Sequence, residues 1–269
     1  MKNKSTLLIL IVFAVFSCKN KKDNKTIDAT VNEEKHVTEN AHWTYEGETG
    51  PEHWIEIEKE SDCNGKRQSP INIIDIDVID DDSIEAIDIH YSASVKIHEI
   101  TNNGHSIQYN FEKGDFINLN DNEYRLKQIH FHEPSEHTID GIRYPLEMHL
   151  VHVSKDNKIS VLAVMAKEGR SSEPFTFLEK YLPINSGETK LIDANFDLNE
   201  NLPENKSYYT YGGSLTTPPC SENVTWFVFK TPITVSVDQV KELQKLMPLN
   251  NYRNEQPINE RVIKRYSSL

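Results

Sequence analysis

The chain has 269 residues, 37 % of them apolar and 26 % charged, which allows one large domain or two small ones and is not the composition of a disordered chain. Its formal net charge of −13 excludes a nucleic-acid partner, because binding a phosphate backbone needs clustered Lys and Arg.

At the N-terminus, Lys2 and Lys4 precede an apolar stretch from Leu7 to Phe16, followed by Ser17 and Cys18. A bilayer span takes roughly 20 apolar residues, so this shorter stretch predicts the core of a secretory signal over residues 1–17. The ending Val15-Phe16-Ser17-Cys18 resembles a bacterial lipoprotein cleavage site, with Cys18 as the lipidated first residue of the mature chain. An ordinary signal peptide followed by an incidental cysteine is the alternative. Residues 18–41 are polar and without apolar periodicity, and read as a flexible tether. The expected location is therefore exported, periplasmic or cell-envelope, with the lipid at Cys18 as the only membrane contact. Two cysteines remain, Cys63 and Cys220, and in an oxidising compartment an isolated pair is expected to form a disulfide.

The folded domain is expected over residues 42–269, beginning at His42-Trp43, where aromatic residues first appear. An acidic run follows, Asp75, Asp77, Asp80, Asp81, Asp82, Glu85 and Asp88; it reads as a solvated face, since it lacks the Gly and terminal Glu of a calcium loop. Short runs rich in Ile, Val and aromatics predict strands over Ile87–Tyr91, Val95–Ile100, Ile107–Phe111, Arg125–His132, Leu146–Val153, Ile159–Ala166 and Val224–Phe229. Ser172-Glu173-Pro174 predicts a capped helix over Phe175–Leu182. Ser236 with Gln239 predicts a capping box, with Val240, Leu243 and Met247 on one helical face. A large sheet with a few peripheral helices follows.

In Gln128-Ile129-His130-Phe131-His132, strand alternation places Gln128, His130 and His132 on one face, with the two imidazoles about 7 Å apart along the backbone. Glu147 and His149 share a face of the later strand, and a hairpin would bring His149 against the pair. Three neutral imidazoles with an open position make a catalytic zinc arrangement. A metal-bound imidazole usually gives its other N–H to an acceptor, and Gln128 and Glu147, each two positions from a histidine, are placed to take it. His36, His42, His53, His90 and His98 show no such pattern, and His137 and His152 read as structural.

The chain resembles the alpha class of carbonic anhydrases. Ser135-Glu136-His137-Thr138-Ile139, Tyr144 and Glu147-Met148-His149-Leu150-Val151 follow that family's signature segment. Further matches are Gly50-Pro51-Glu52-His53-Trp54, Arg67-Gln68-Ser69-Pro70-Ile71-Asn72, Asn102-Asn103-Gly104-His105, Gly213-Ser214-Leu215-Thr216-Thr217-Pro218-Pro219, Asn251-Tyr252-Arg253 and Gln256-Pro257, so that the resemblance covers residues 42 to 266. Glu133-Pro134 after His132, a short hairpin before His149, and Cys63 with Cys220 are similar to the bacterial branch.

The resemblance implies a mainly β (α+β) single domain with a large, mostly antiparallel twisted sheet, and a Zn2+ cofactor on His130, His132 and His149. It implies reversible hydration of carbon dioxide to bicarbonate and a proton, by attack of zinc-bound hydroxide. Thr216 would hydrogen-bond that hydroxide and Glu136, Thr217 would line the bicarbonate side, and Val151, Val161, Leu215, Val224 and Trp226 would form the carbon dioxide pocket. His105 would shuttle the proton near its ordinary pKa of ~6.5, through water ordered by Tyr45, Asn103 and Gln108. Asn251 joins Gln128 and Glu147 behind the ligands. The molecule would be a monomer or dimer. A catalytically silent binding module and a broader zinc esterase are the competing functions.

Overall fold

Alternating apolar and polar side chains dictate strands, and strands dominate the structure. The computed structural model describes residues 42–268, so the signal, Cys18 and tether expectations for residues 1–41 lie outside the described residues. Among the described residues, thirteen strands join one mixed sheet. Its main path runs Thr189–Phe196, Val95–Asn102, Ile107–Phe111, Asn122–His132, Leu146–Ser154, Ile159–Glu168, Glu222–Phe229, Tyr208–Ser214, Lys264–Tyr266 and Ile79–Asp80. Most neighbours are antiparallel. Parallel pairing occurs where Ile159–Glu168 meets Glu222–Phe229 and Ile233–Val235, and where Lys264–Tyr266 meets Ile79–Asp80. The mainly β class with few helices is as expected.

All seven predicted strands form, most with longer ends; the first is shorter, at Asp88–His90. The two predicted helices form as Glu173–Glu179 and Val237–Gln244. The Ser172 hydroxyl accepts from Phe175 N–H, and Ser236 and Gln239 make the reciprocal capping box. Gln239 also bonds the Ser172 backbone in both directions, which ties the two helix starts together. Both helices contribute to one of two apolar layers: Phe175, Leu178 and Leu243 pack with Tyr109, Ile129, Phe131, Leu150 and Phe229. The second layer holds Val161, Ala163, Tyr211, Val224, Trp226 and Val228. Burying one such side chain contributes about 1.5–3 kcal/mol, against about 1 kcal/mol for a cap, so the layers carry the fold and the caps set its ends.

The acidic run is solvated, as expected, with Asp77, Asp80, Asp82, Glu85 and Asp88 exposed, but some of its carboxylates are also paired. Asp75 accepts from Arg265, Lys230 and the Tyr209 hydroxyl, Asp80 is paired with Arg265, and Asp81 with Lys264. These carboxylates hold the C-terminal strand Lys264–Tyr266, at the sheet's far end, to the segment around Ile79–Asp80. Hydrogen bonds from Tyr209 and Lys230 bring the Asp75 carboxyl to about 2, and those from Lys264 and Ser83 bring Asp81 to about 2.

Cys63 and Cys220 form the expected disulfide, closing a separation of 157 residues. It packs in a third cluster with Trp43, Tyr45 and Trp54.

Lowered carboxyl pKa values stabilise the fold above the ordinary carboxyl range, and that contribution is lost as pH falls through the folded values. The urea midpoint is therefore expected to drop between about pH 4 and pH 2 in the wild type, and to drop less in Asp75→Asn/Asp81→Asn. Equal drops would show that the pairs contribute nothing. Replacing both cysteines by Ala is expected to cost about 2–5 kcal/mol in urea unfolding.

Candidate metal centre and active site

The two histidine strands pair antiparallel in a register that sets His149 directly opposite His130 and Glu147 opposite His132. The three imidazoles predicted from alternation therefore converge, with ring centroids 5.1, 5.0 and 4.6 Å apart. His132 and His149 are buried and His130 is partly so.

Each ring is held from behind. His130 donates through Nδ1 to Gln128 Oε1 at 2.9 Å, and His149 through Nε2 to Glu147 Oε1 at 2.7 Å, as their spacing predicts. His132 donates through Nδ1 to the backbone carbonyl of Asn251 at 2.6 Å, an acceptor that side-chain spacing could not reveal. These bonds fix the tautomers, leaving His130 Nε2, His132 Nε2 and His149 Nδ1 as lone-pair donors turned toward one another. His132 Nε2 is buried without a hydrogen-bond partner, and one donor atom from each of the three histidines lies within 4.8 Å of the other two. Burial lowers the pKa of all three, and of His132 to about 4, so they stay neutral, as ligation requires.

Glu147 does more than orient His149. Its Oε1 also accepts from His137 Nδ1 at 2.7 Å, and its Oε2 accepts from the backbone N–H groups of Glu136 and His137, both at 2.8 Å. Burial raises this carboxyl, but His137 and His149 outweigh it and hold it well below the usual range. His137 accepts in turn from the Tyr211 hydroxyl at 2.7 Å, so it is structural, as expected. His152 points to the opposite face, bonded to the Tyr91 hydroxyl.

Glu136 is wholly buried. Its Oε1 accepts from Arg253 N–H at 3.0 Å, while Oε2 has no well-formed hydrogen bond and lies 3.4 Å from His132 Nε2. Burial raises the Glu136 carboxyl to about 7, against the nearby His149 and Thr216, which lower it. Thr216 is thus beside Glu136, and Thr217 is half-buried next to it. Val161, Val224 and Trp226 sit in the second apolar layer with Val151 and Leu215 at its edge, and the Trp226 ring is 4.9 Å from that of His149. An apolar wall therefore adjoins the imidazoles. Gly213 is required in this wall, because a Cβ there would lie 2.2 Å from the Ser69 hydroxyl.

His105 is presented by a turn in which Asn102 and Asn103 carboxamides accept from Gly104, His105 and Ser106 N–H, with Gly104 at φ +84°. Asn251 Nδ2 donates to the His105 carbonyl at 2.9 Å, joining this turn to the residue behind His132. The ring is half-buried and stacked on Trp43, at 3.6 Å between centroids, with Tyr45 edge-on at 6.1 Å. Burial and the neighbouring His42 lower it to about 4, below the ordinary value expected from sequence. Gln108 donates to Asn110 at 2.6 Å, and Asn103 is engaged within the turn. Sequence reasoning assigned no role to Arg253, Tyr211 or His42. A cleft of about 930 Å3, lined by residues that include Tyr124, Tyr208, Phe227 and Lys264, has no imidazole in its lining.

Residues 49–267 match the family model described as eukaryotic-type carbonic anhydrase. A carbonic anhydrase of Klebsiella pneumoniae is 40 % identical over 227 residues, covering 83 % of this chain and 90 % of the relative. One from Nostoc is 37 % identical over 226 residues, covering 82 % and 84 %. The solved alpha carbonic anhydrase of Thermovibrio ammonificans, in complex with the inhibitor sulfanilamide, has a TM-score of 0.79 and 39 % identity, covering 84 % of this chain and 99 % of that one.

Removing the acceptor behind His130 leaves its ring free to turn. Gln128→Ala is expected to weaken divalent-metal affinity by about 10–100-fold in a chelator competition, with the fold intact by circular dichroism. Unchanged affinity would show that Gln128 does not orient the site.

Proposed function

The chain belongs to the alpha carbonic anhydrases, enzymes that hydrate carbon dioxide, and on that premise we propose that it does so with a zinc ion held by His130, His132 and His149. The observation that carries this reading is the set of three neutral imidazoles. Their outer nitrogens are all engaged by acceptors, and their inner nitrogens face one another beside an apolar wall. Nitrogen-only donors suit zinc, and an orphaned buried nitrogen on His132 is what a ligand in its apo form would leave. A zinc ion bound by three histidines lowers the pKa of a water it carries to about 7, a value drawn from this same family, and so supplies a nucleophile at neutral pH.

The remaining steps fall to the chain. Val151, Val161, Leu215, Val224 and Trp226 offer a non-polar molecule a surface beside the nucleophile and exclude competing water. A Thr216 hydroxyl that donates to Glu136 is left with lone pairs only toward the reacting oxygen, which fixes that oxygen's orientation. Thr217 borders the place where bicarbonate forms. His105, on the aromatic platform of Trp43 and Tyr45, takes the product proton outward. The Cys63–Cys220 disulfide supports export, which the signal proposed over residues 1–17 would direct; the Cys18 anchor rests on the sequence alone.

Purified chain is expected to contain one equivalent of zinc by mass spectrometry and to hydrate carbon dioxide in a stopped-flow assay. His149→Ala should lose both, and Thr216→Val should keep the zinc while losing on the order of a hundredfold in kcat/KM. Full activity in zinc-free His149→Ala would overturn the assignment; zinc-loaded wild type without hydration activity would point to a binding module.

A further inference from the structure

His42 showed no ligand pattern in the sequence, and it is not a ligand. Its Nε2 lies 2.9 Å from Nε2 of His105, with the rings 5.0 Å apart. The contact is held in place from behind. His105 stacks on Trp43 at 12° between planes, Trp43 packs edge-on against Trp54, and Trp54 belongs to the cluster around the disulfide. His105 is half-buried and His42 is exposed. One imidazole is thus half-buried and its hydrogen-bonded partner stands in solvent.

We propose that His42 and His105 form a two-imidazole proton relay, His105 receiving the proton and His42 delivering it to buffer. The proposal rests on the reading of His105 as the carrier of the product proton. Two nitrogens at this distance share one hydrogen, so one ring donates and the other accepts. A proton taken up at Nδ1 of His105 is matched by passage of the Nε2 proton of His105 to Nε2 of His42. His42 then holds both ring protons and releases the one at Nδ1 to a buffer base. One unit of charge has moved outward, no bond to carbon has changed, and each ring again holds one hydrogen, in the opposite tautomer. Exchange with water or a ring flip resets the pair.

The surroundings favour passage over storage. Burial and the adjacent His42 ring lower His105 to about 4, so a proton does not rest on it at neutral pH. The other titratable ring packed there, Tyr45, is held neutral by burial, which raises its phenol well above the usual range. Trp43 does not titrate. His42 therefore provides the exit that the half-buried ring lacks.

His42→Gln tests this in the full chain carrying its metal, since a carboxamide keeps a hydrogen-bond partner for His105 but cannot take up and release a proton. In weak buffer, kcat is expected to fall roughly three- to tenfold while kcat/KM holds, and added imidazole buffer should restore kcat. Independently of activity, nitrogen-15 NMR should show the His105 ring titrating at higher pH in His42→Gln than in wild type. Wild-type kcat in weak buffer for His42→Gln, or an unmoved His105 titration, would overturn the relay. If His105→Ala also keeps wild-type kcat, the relay fails while carbon dioxide hydration stands, because hydration is judged separately by kcat/KM of His149→Ala.

Discussion

The site depends on one buried carboxylate. Glu147 has no solvent exposure, and a bare charge there would cost several kcal/mol. Four N–H donors, two from imidazoles and two from backbone, make it tolerable. The same four bonds set the ring of His149, the ring of His137 and the backbone that presents Glu136. Through His137 the network continues to Tyr211, then to the Ser69 hydroxyl, which accepts from Ser214 N–H. Ser214 stands two residues before Thr216. A single charge thus links the ring of His149 to the segments that carry Glu136 and Thr216, the pair proposed to orient the nucleophile, although these groups come from separate parts of the chain.

A second arrangement holds the opposite flank. The buried Arg253 guanidinium donates to the Cys63 carbonyl, Gln68 Oε1 and the Ser69 carbonyl, and lies 5.6 Å over Trp54. Its own N–H serves Glu136. The disulfide, the aromatic platform beneath His105 and the carboxyl beside His132 are therefore braced by one residue. Burial brings that guanidinium down to about 10, still charged at neutral pH. The rigidity matters for the proposed chemistry: the roles proposed for His105 and for Thr216 with Glu136 need fixed distances, and both sites are fastened to the same frame.

What the sequence made legible follows a simple division. His130, His132, Gln128, Glu147 and His149 were readable because strand alternation alone decides which of them share a face, and the hairpin register then superposes the two sets. The carbonyl of Asn251 was not, since any residue has a carbonyl and this one meets His132 across 119 positions. Thr189–Phe196 escaped as a strand because its core face, Ile192, Ala194 and Phe196, is short and blurred by Leu191, which is 82 % exposed at the sheet edge. Tyr208–Ser214 escaped because two glycines dilute its pattern, and Gly213 is there for the close approach of Ser69. The acidic run was legible as a solvated face, but its pairing was not, because its partners, Lys230, Lys264 and Arg265, lie at least 150 positions away in the chain. His42 had no local signal at all; only the fold brings it to His105. Thr216, Glu136 and the apolar wall were legible through family resemblance rather than through spacing.

X-ray absorption at the zinc edge of the purified chain tests the central claim most directly. Three imidazole nitrogens and one further light atom at about 2.0–2.1 Å are predicted, with one imidazole's scattering lost on substituting His149. A sulfur ligand, or a first shell unchanged by that substitution, would contradict the account.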